Sequence, residues 1–346
     1  MTHLPFLFEF FIYCLFTFFI FFFLQEPFLK ILKKLQFSQK IRHHTVDGKK
    51  AKVFRILHQK KEGTPTGAGV LIWFSVFLTI LFSRALSFFG LIDQSLLQRK
   101  EVYLPLFTLL FVGILGLFDD WLNVCGTSKK KGMEAVSKFL ILLFFGTLGG
   151  LWFVFKLDFT ELFIPFWGSL NLGIWFLLFF IFVFTATSNA VNITDGLDGL
   201  ASGVLIQSFA VFAALSFVRG QFFLSIFCGI VISALVAFLW FNAPPAKFFM
   251  GDTGALSLGA TLAVIATMTG TITTLPLIGF IFVIETFSVI LQLFSKKFFN
   301  KKIFHIAPLH HHFEKIGWSE SQIVMRFWII NGIFATMGFL IEMAGN

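Results

Sequence analysis

Charge is what this sequence has least of. Only 13% of its 346 residues are Asp, Glu, Lys or Arg, against about 25% in a soluble globular domain, which excludes water as its main solvent. Tyrosine is nearly missing, with 2 residues against 55 phenylalanines, so the aromatic content is almost wholly apolar. The three cysteines, Cys14, Cys125 and Cys228, have no paired spacing and two lie inside apolar runs, so neither a disulfide framework nor a zinc site is indicated. No basic stretch precedes the first apolar run and no small-residue cleavage site follows it, so this run reads as a retained anchor, not a removable signal peptide. No internal repeat is visible, which weighs against transporters built from inverted repeats.

What is present is hydrocarbon. A bilayer core about 30 Å thick takes roughly 20 apolar residues per helical crossing, and ten runs near that length occur, at about 6–24, 69–89, 103–118, 139–155, 170–188, 200–218, 222–241, 254–271, 275–294 and 326–343. The expected fold is all-α: a polytopic integral membrane protein of about ten transmembrane helices, forming one transmembrane domain over residues 1–346. The segments 25–68, 119–138, 242–253 and 295–326 hold 22 of the 27 Lys and Arg residues. The positive-inside rule places them in the cytoplasm and both termini outside, a parity that ten crossings satisfy. The main cytoplasmic loops are then expected at 25–68, 119–138, 189–199, 242–253 and 295–325.

Apart from single charges within helices, every polar motif falls in a loop of that cytoplasmic set, the pattern of a site that takes a water-soluble substrate from one side. Asp119-Asp120 closes the third run, at a helix C-terminus whose dipole disfavours acids. A bound hard cation such as Mg²⁺ removes that conflict; neutralisation by Lys129 to Lys131 is the plainer alternative. Asn189, Asn192, Asp195 and Asp198 follow the fifth run at steps of three, which share a helix face only pairwise. Gly196 and Gly199 imply a bend that gathers them, as against local turns that merely end the helix. Asp252, in Met-Gly-Asp-Thr-Gly before the eighth run, has the position of an N-cap and, beside the other acidic motifs, of a metal ligand. Asn242 lies ten residues earlier in the same loop. Lys61 to Gly69, with Thr66 at its centre, leads into the second run as an anion site at a helix N-terminus or a plain junction; it lacks the Walker order. His310, His311 and His312 fan out by about 100° each on a helix and cannot share one zinc ion, so one or two of them are expected to meet phosphate. Glu285, inside the ninth run, needs a partner or water.

In this order the motifs resemble the polyprenyl-phosphate N-acetylhexosamine-1-phosphate transferase superfamily, most closely its phospho-N-acetylmuramoyl-pentapeptide transferase branch. Thr64-Pro-Thr66, Asp119-Asp120, Asn189 to Asp198, Asn242, Gly251-Asp252, Val283-Ile-Glu285-Thr and Pro308 to Glu314 carry the likeness across almost the whole chain. One departure is visible: Gly67-Ala68-Gly69 stands where the family usually has Met-Gly-Gly, adding a methyl at Ala68. The resemblance implies transfer of phospho-N-acetylmuramoyl-pentapeptide from UDP-MurNAc-pentapeptide to undecaprenyl phosphate, releasing UMP and forming lipid I, at a site on the cytoplasmic face of a bacterial inner membrane. It implies Mg²⁺ as cofactor and a homodimer. Asp252 is expected to ligate the metal with Asp120 near it, and Asp119, base or nucleophile by likeness, to position the lipid phosphate for direct attack. Lys61 and Thr66 would serve the phosphates. Asn189, Asn192, Asp195, Asp198 and Asn242 would hold nucleotide or sugar, with His310 and His311 catalytic and His312 binding substrate. The competing readings are a transferase for another UDP-N-acetylhexosamine and a transporter.

Overall fold

The computed structural model describes residues 4–38, 61, 63–126, 133 and 135–345; Lys129 to Lys131 lie outside them. The elements are α1 (Leu4–Lys34), α2 (Gly69–Phe88), α3 (Lys100–Cys125), α4 (Ala135–Leu151), a hairpin of β1 (Glu161–Ile164) and β2 (Gly168–Asn171), α5 (Trp175–Thr194), α6 (Leu200–Val218), α7 (Phe222–Asn242), α8 (Gly251–Met268), α9 (Leu275–Ile278), α10 (Phe280–Phe299), α11 (Leu309–Lys315) and α12 (Glu320–Ala344). Nine of the described helices are long and apolar enough to cross a membrane, α4 doing so with its continuation to Lys156. The two-stranded hairpin, with Glu161 opposite Asn171, is the only sheet among the described residues. It takes up the start of the expected 170–188 run, and the helix there begins at Trp175.

The ninth apolar run behaves differently. It divides at Gly279 into α9 and α10, and α10 carries a polar stripe of Glu285, Ser288, Gln292 and Ser295, all buried, opposite exposed Phe287, Ile290, Leu291, Phe294 and Phe298. The chain beyond α10 folds back along that stripe. Gln292 Oε1 accepts the amides of Ile303 and Phe304, each at 3.0 Å, and Ser295 Oγ donates to the Lys301 carbonyl at 2.9 Å. A non-helical segment laid on a helix needs such partners for its backbone, and the stripe supplies them.

The most enclosed crossing helix is α8, which packs on α3 and α5. Its sequence is rich in Gly, Ala, Ser and Thr, which let helix backbones approach closely, and its buried hydroxyls bond back to its own carbonyls, as Ser257 does to Thr253 and Thr261 to Ser257. A methyl on Gly116 of α3 would stand 2.2 Å from the Asp252 carbonyl oxygen, and one on Gly69 of α2 would stand 2.2 Å from the Gly254 nitrogen. Two segments, the acidic flank of α3 and the hydroxyl-bearing junction before α2, are thereby drawn against the start of α8.

The opposite end of the bundle is tied by Arg219, whose guanidinium meets Glu342 Oε2 at 2.7 Å and also donates to the Thr269 carbonyl; Thr274 Oγ1 donates to Glu342 Oε1 at 2.7 Å. Glu342 is fully buried, and removing one partner of such a pair costs about 3–5 kcal/mol. Arg219→Met is therefore expected to lower the melting temperature in detergent by several degrees. A melting curve superimposable on that of the parent protein would show that the pair contributes nothing.

Candidate functional site

Asp119 and Asp120 do not close their helix. The helix α3 continues to Cys125, because Trp121 to Cys125 contains no helix breaker, so the two carboxylates sit on its flank and the terminal dipole is not what they must offset. Adjacent residues lie about 100° apart on a helix, and these two face different partners. Asp119, 1% exposed, accepts the Met133 amide at 2.5 Å and meets Lys138 Nζ at 2.5 Å. Lys138, on α4, also contacts Asp252 Oδ2. One ammonium thus bridges carboxylates from α3 and α8.

Asp120 turns to the start of α8. Its Oδ1 accepts the Asp252 amide at 3.1 Å, and its Oδ2 accepts the Thr253 amide at 3.0 Å and the Thr253 hydroxyl at 2.6 Å. An anion at a helix N-terminus satisfies free amides and complements the dipole. This explains why Asp252 is not the N-cap expected from sequence. It is the second residue of α8, the cap position is Met250 with no side-chain bond, and the amides to be capped are already occupied from α3. The Asp252 carboxylate is left to face Lys138 and Asp119.

The Thr66 junction is likewise turned inward. The amides of Thr66, Ala68 and Gly69 donate to the carbonyls of Phe37, Phe249 and Met250 at 3.1, 3.0 and 2.9 Å, so they do not form the anion site that the helix start suggested. Ala68 has φ −66°, a value any residue adopts, and its methyl is accommodated; the positions that call for glycine are Gly67, at φ +83°, and Gly69, pressed against the Gly254 backbone. Thr66 Oγ1 and Asp120 Oδ2 flank Gly251 from two sides, each within 3.0 Å of where a Cβ would stand.

The segment expected as a loop at 189–199 is helical through Thr194, and the bend falls at Asp195 to Gly199, where Gly199 takes φ +80° before α6. Asn189 Nδ2 donates to the Thr185 carbonyl of its own helix at 2.8 Å, and Asn192, one turn on, is half-buried. Asp198 is held on every side: its Oδ1 meets Lys61 at 2.7 Å, its Oδ2 accepts the Ala246 amide at 3.0 Å, and its own amide donates to Glu320 at 2.7 Å. Lys61 also meets Glu320 at 2.5 Å. Burial opposes the charge on Lys61, but the two carboxylates outweigh it and hold the ammonium above its ordinary value. Asn242 accepts the Gly199 amide at 2.9 Å and donates to the Phe248 carbonyl at 3.1 Å. Lys61, Asp198 and Asn242 thus lock the bend to its neighbours.

Asp195 stands between the two networks. Burial, then the charges of Asp252 and Asp198, push its carboxyl up to about 7, against the pull of Lys61 and His310. An unfolded aspartate titrates near 3.9, so the folded protein binds this proton more tightly. Near pH 4 the difference costs little; it grows as pH rises towards 7 and is constant above. Asp195→Asn is accordingly expected to raise the melting temperature at pH 8 more than at pH 4. Equal shifts at the two values would refute the raised titration.

The three histidines separate as the helical fan requires. His310 turns inward to Glu285 and Gly196; His311 Nδ1 meets Glu314 at 2.6 Å; His312 accepts the His305 amide at 3.2 Å and stacks on that ring, away from the carboxylates. Sequence reasoning missed Lys138 and Glu320. Lys138 stands directly before an apolar run, where a lysine is indistinguishable from a topogenic charge, and Glu320 reads as an ordinary acid in the first turn of α12.

Among the described residues no three His, Cys, Asp or Glu side chains are gathered closely enough to hold an ion by themselves. Mg²⁺ needs fewer, taking one or two carboxylates together with substrate phosphates and water. Asp119 and Asp252, already converging on one cation, fit that demand, whereas both Asp120 oxygens are committed to α8.

The family model described as Glycosyl transferase family 4 matches residues 102–270, a span from α3 to the end of α8. Among curated proteins, one from Geobacillus sp. (strain WCH70) is 39% identical over 326 residues, 92% of this chain and 93% of that one. One from Pelagibacter ubique (strain HTCC1062) is 42% identical over 301 residues, 81% and 80% of the two. One from Clostridium perfringens (strain 13 / Type A) is 39% identical over 313 residues, 90% and 92%. All three are named phospho-N-acetylmuramoyl-pentapeptide-transferase.

Proposed function

The chain belongs to the phospho-N-acetylmuramoyl-pentapeptide transferases, and from that premise we propose that it moves phospho-N-acetylmuramoyl-pentapeptide from UDP-MurNAc-pentapeptide to undecaprenyl phosphate, with Mg²⁺, at the cytoplasmic face of a bacterial inner membrane. The observation that carries this reading is the convergence of Asp119, Lys138 and Asp252 at the end of the bundle that the charge distribution assigns to the cytoplasm. A nucleotide from water and a phosphate from the lipid headgroup layer meet only there.

In the reaction an oxygen of the lipid phosphate forms a bond to the β-phosphorus, and the bond from that phosphorus to the bridging oxygen breaks. UMP departs with the electron pair. A phosphate monoester whose second pKa is about 6 is already mostly dianionic at neutral pH, so no base is required. Asp119 orients Lys138, and Lys138 presents an ammonium to the incoming phosphate. Phosphoryl transfer depends on such placement and charge neutralisation more than on covalent chemistry. Mg²⁺ bound by Asp252 and Asp119 would supply the remaining positive charge. Asp195 and His310 line the turn beside this cluster and would bind the sugar nucleotide, while Lys61, Asp198 and Asn242 hold that turn in place.

The test is substrate choice. Purified protein given undecaprenyl phosphate and Mg²⁺ is expected to form lipid I from UDP-MurNAc-pentapeptide and no lipid-linked product from UDP-N-acetylglucosamine. The reverse preference would assign the chain to another hexosamine-1-phosphate transferase.

A further inference from the structure

Glu285 lies in α10, well within an apolar run, and is fully buried. A carboxylate in such surroundings must be paired. Its partner is His310, also fully buried: Glu285 Oε1 accepts the His310 amide at 3.1 Å, and Oε2 stands 3.1 Å from Nδ1 of the ring. The other ring nitrogen, Nε2, is buried with no hydrogen-bond partner among the described residues, an arrangement that native structures rarely leave unexplained. Nε2 is aimed at Gly196, where a Cβ would stand 2.3 Å from it. The backbone turn beside Asp195 is therefore kept free of side chain where the imidazole approaches it.

We propose that Glu285 is a positioning residue. Its carboxylate fixes the ring hydrogen of His310 on Nδ1, and Nε2 is thereby presented to the sugar nucleotide at the Asp195-Gly196 turn. The choice of tautomer at one histidine nitrogen is set by what the other nitrogen bonds, and supporting groups of this kind typically carry 10- to 100-fold of activity when they orient a functional imidazole. The polar stripe along α10 serves the same end, because Gln292 and Ser295 fasten the returning chain whose continuation delivers His310 to Glu285. This inference rests on the transferase reading for its substrate, but not for its geometry.

The deciding variant is Glu285→Gln. The amide keeps the size of the side chain and can still accept the His310 amide, yet it can donate to Nδ1, which moves the ring hydrogen to Nε2. In protein labelled with ¹⁵N-histidine, the spectrum is expected to show His310 protonated at Nδ1 in the parent and at Nε2 in Glu285→Gln. For turnover of UDP-MurNAc-pentapeptide, kcat/KM should fall about 10- to 100-fold with the melting temperature little changed, and the same substitution placed on His310→Asn should add almost no further loss. An unaltered imidazole spectrum would overturn the proposal, as would an equal loss on top of His310→Asn. The spectrum reads the tautomer whether or not the expected substrate is turned over, so failure of the positioning role and failure of the transferase reading are distinguishable.

Discussion

Asp252→Asn is expected to lower kcat by on the order of 10³-fold while leaving the melting temperature nearly unchanged. Asp252 contributes no capping bond to α8; its carboxylate meets only charged partners, Lys138 and, across it, Asp119. Asparagine preserves the volume and the backbone amide that Asp120 accepts, but it cannot neutralise a divalent ion. Chelation of Mg²⁺ should reproduce the loss in the parent protein, and excess Mg²⁺ should restore the parent and not the variant. Steady-state kinetics with a thermal melt on the same preparation checks both halves. Activity within about tenfold of the parent would remove Asp252 from the metal site.

Asp120→Asn is expected to behave in the opposite manner, losing stability and activity together. Its two oxygens accept three bonds from the first residues of α8, and hydrogen bonds to a charged group each contribute about 1.5–3 kcal/mol. An asparagine amide would turn donors towards donors at one of the two oxygen positions. The melting temperature should drop by several degrees, and turnover should fall at least about 100-fold, because the start of α8 carries Asp252. Thermal melts compared across the two substitutions separate a carboxylate that builds the site from one that works in it. A stable, inactive Asp120→Asn protein would reverse the assignment and return Asp120 to the metal.

The crossing helices and the one-sidedness of the motifs were legible because each depends on composition alone: apolar length for one, the placement of Lys and Arg for the other. The division of labour between Asp119 and Asp120 was not. The residues are neighbours in sequence, and only their different azimuths on α3, with Gly116 admitting the backbone of α8 on one side, decide which meets Lys138 and which meets Thr253. The partners of Lys61 and Asp198 were hidden for a related reason. Glu320 lies 122 residues beyond Asp198, and no spacing rule connects them. The stripe of Glu285, Ser288, Gln292 and Ser295, by contrast, has a helical period that a hydropathy average over the ninth run conceals.

The most direct measurement is the identity of the nucleotide that leaves. Protein in lipid nanodiscs, given undecaprenyl phosphate, Mg²⁺ and UDP-MurNAc-pentapeptide labelled with ³²P at the β-phosphate, should release unlabelled UMP as the label passes in equal amount to the lipid. Release of labelled UDP, or transfer of sugar without the label, would mean that the carbon–oxygen bond of the sugar is broken instead, and would contradict phosphoryl transfer at the Asp119, Lys138 and Asp252 cluster.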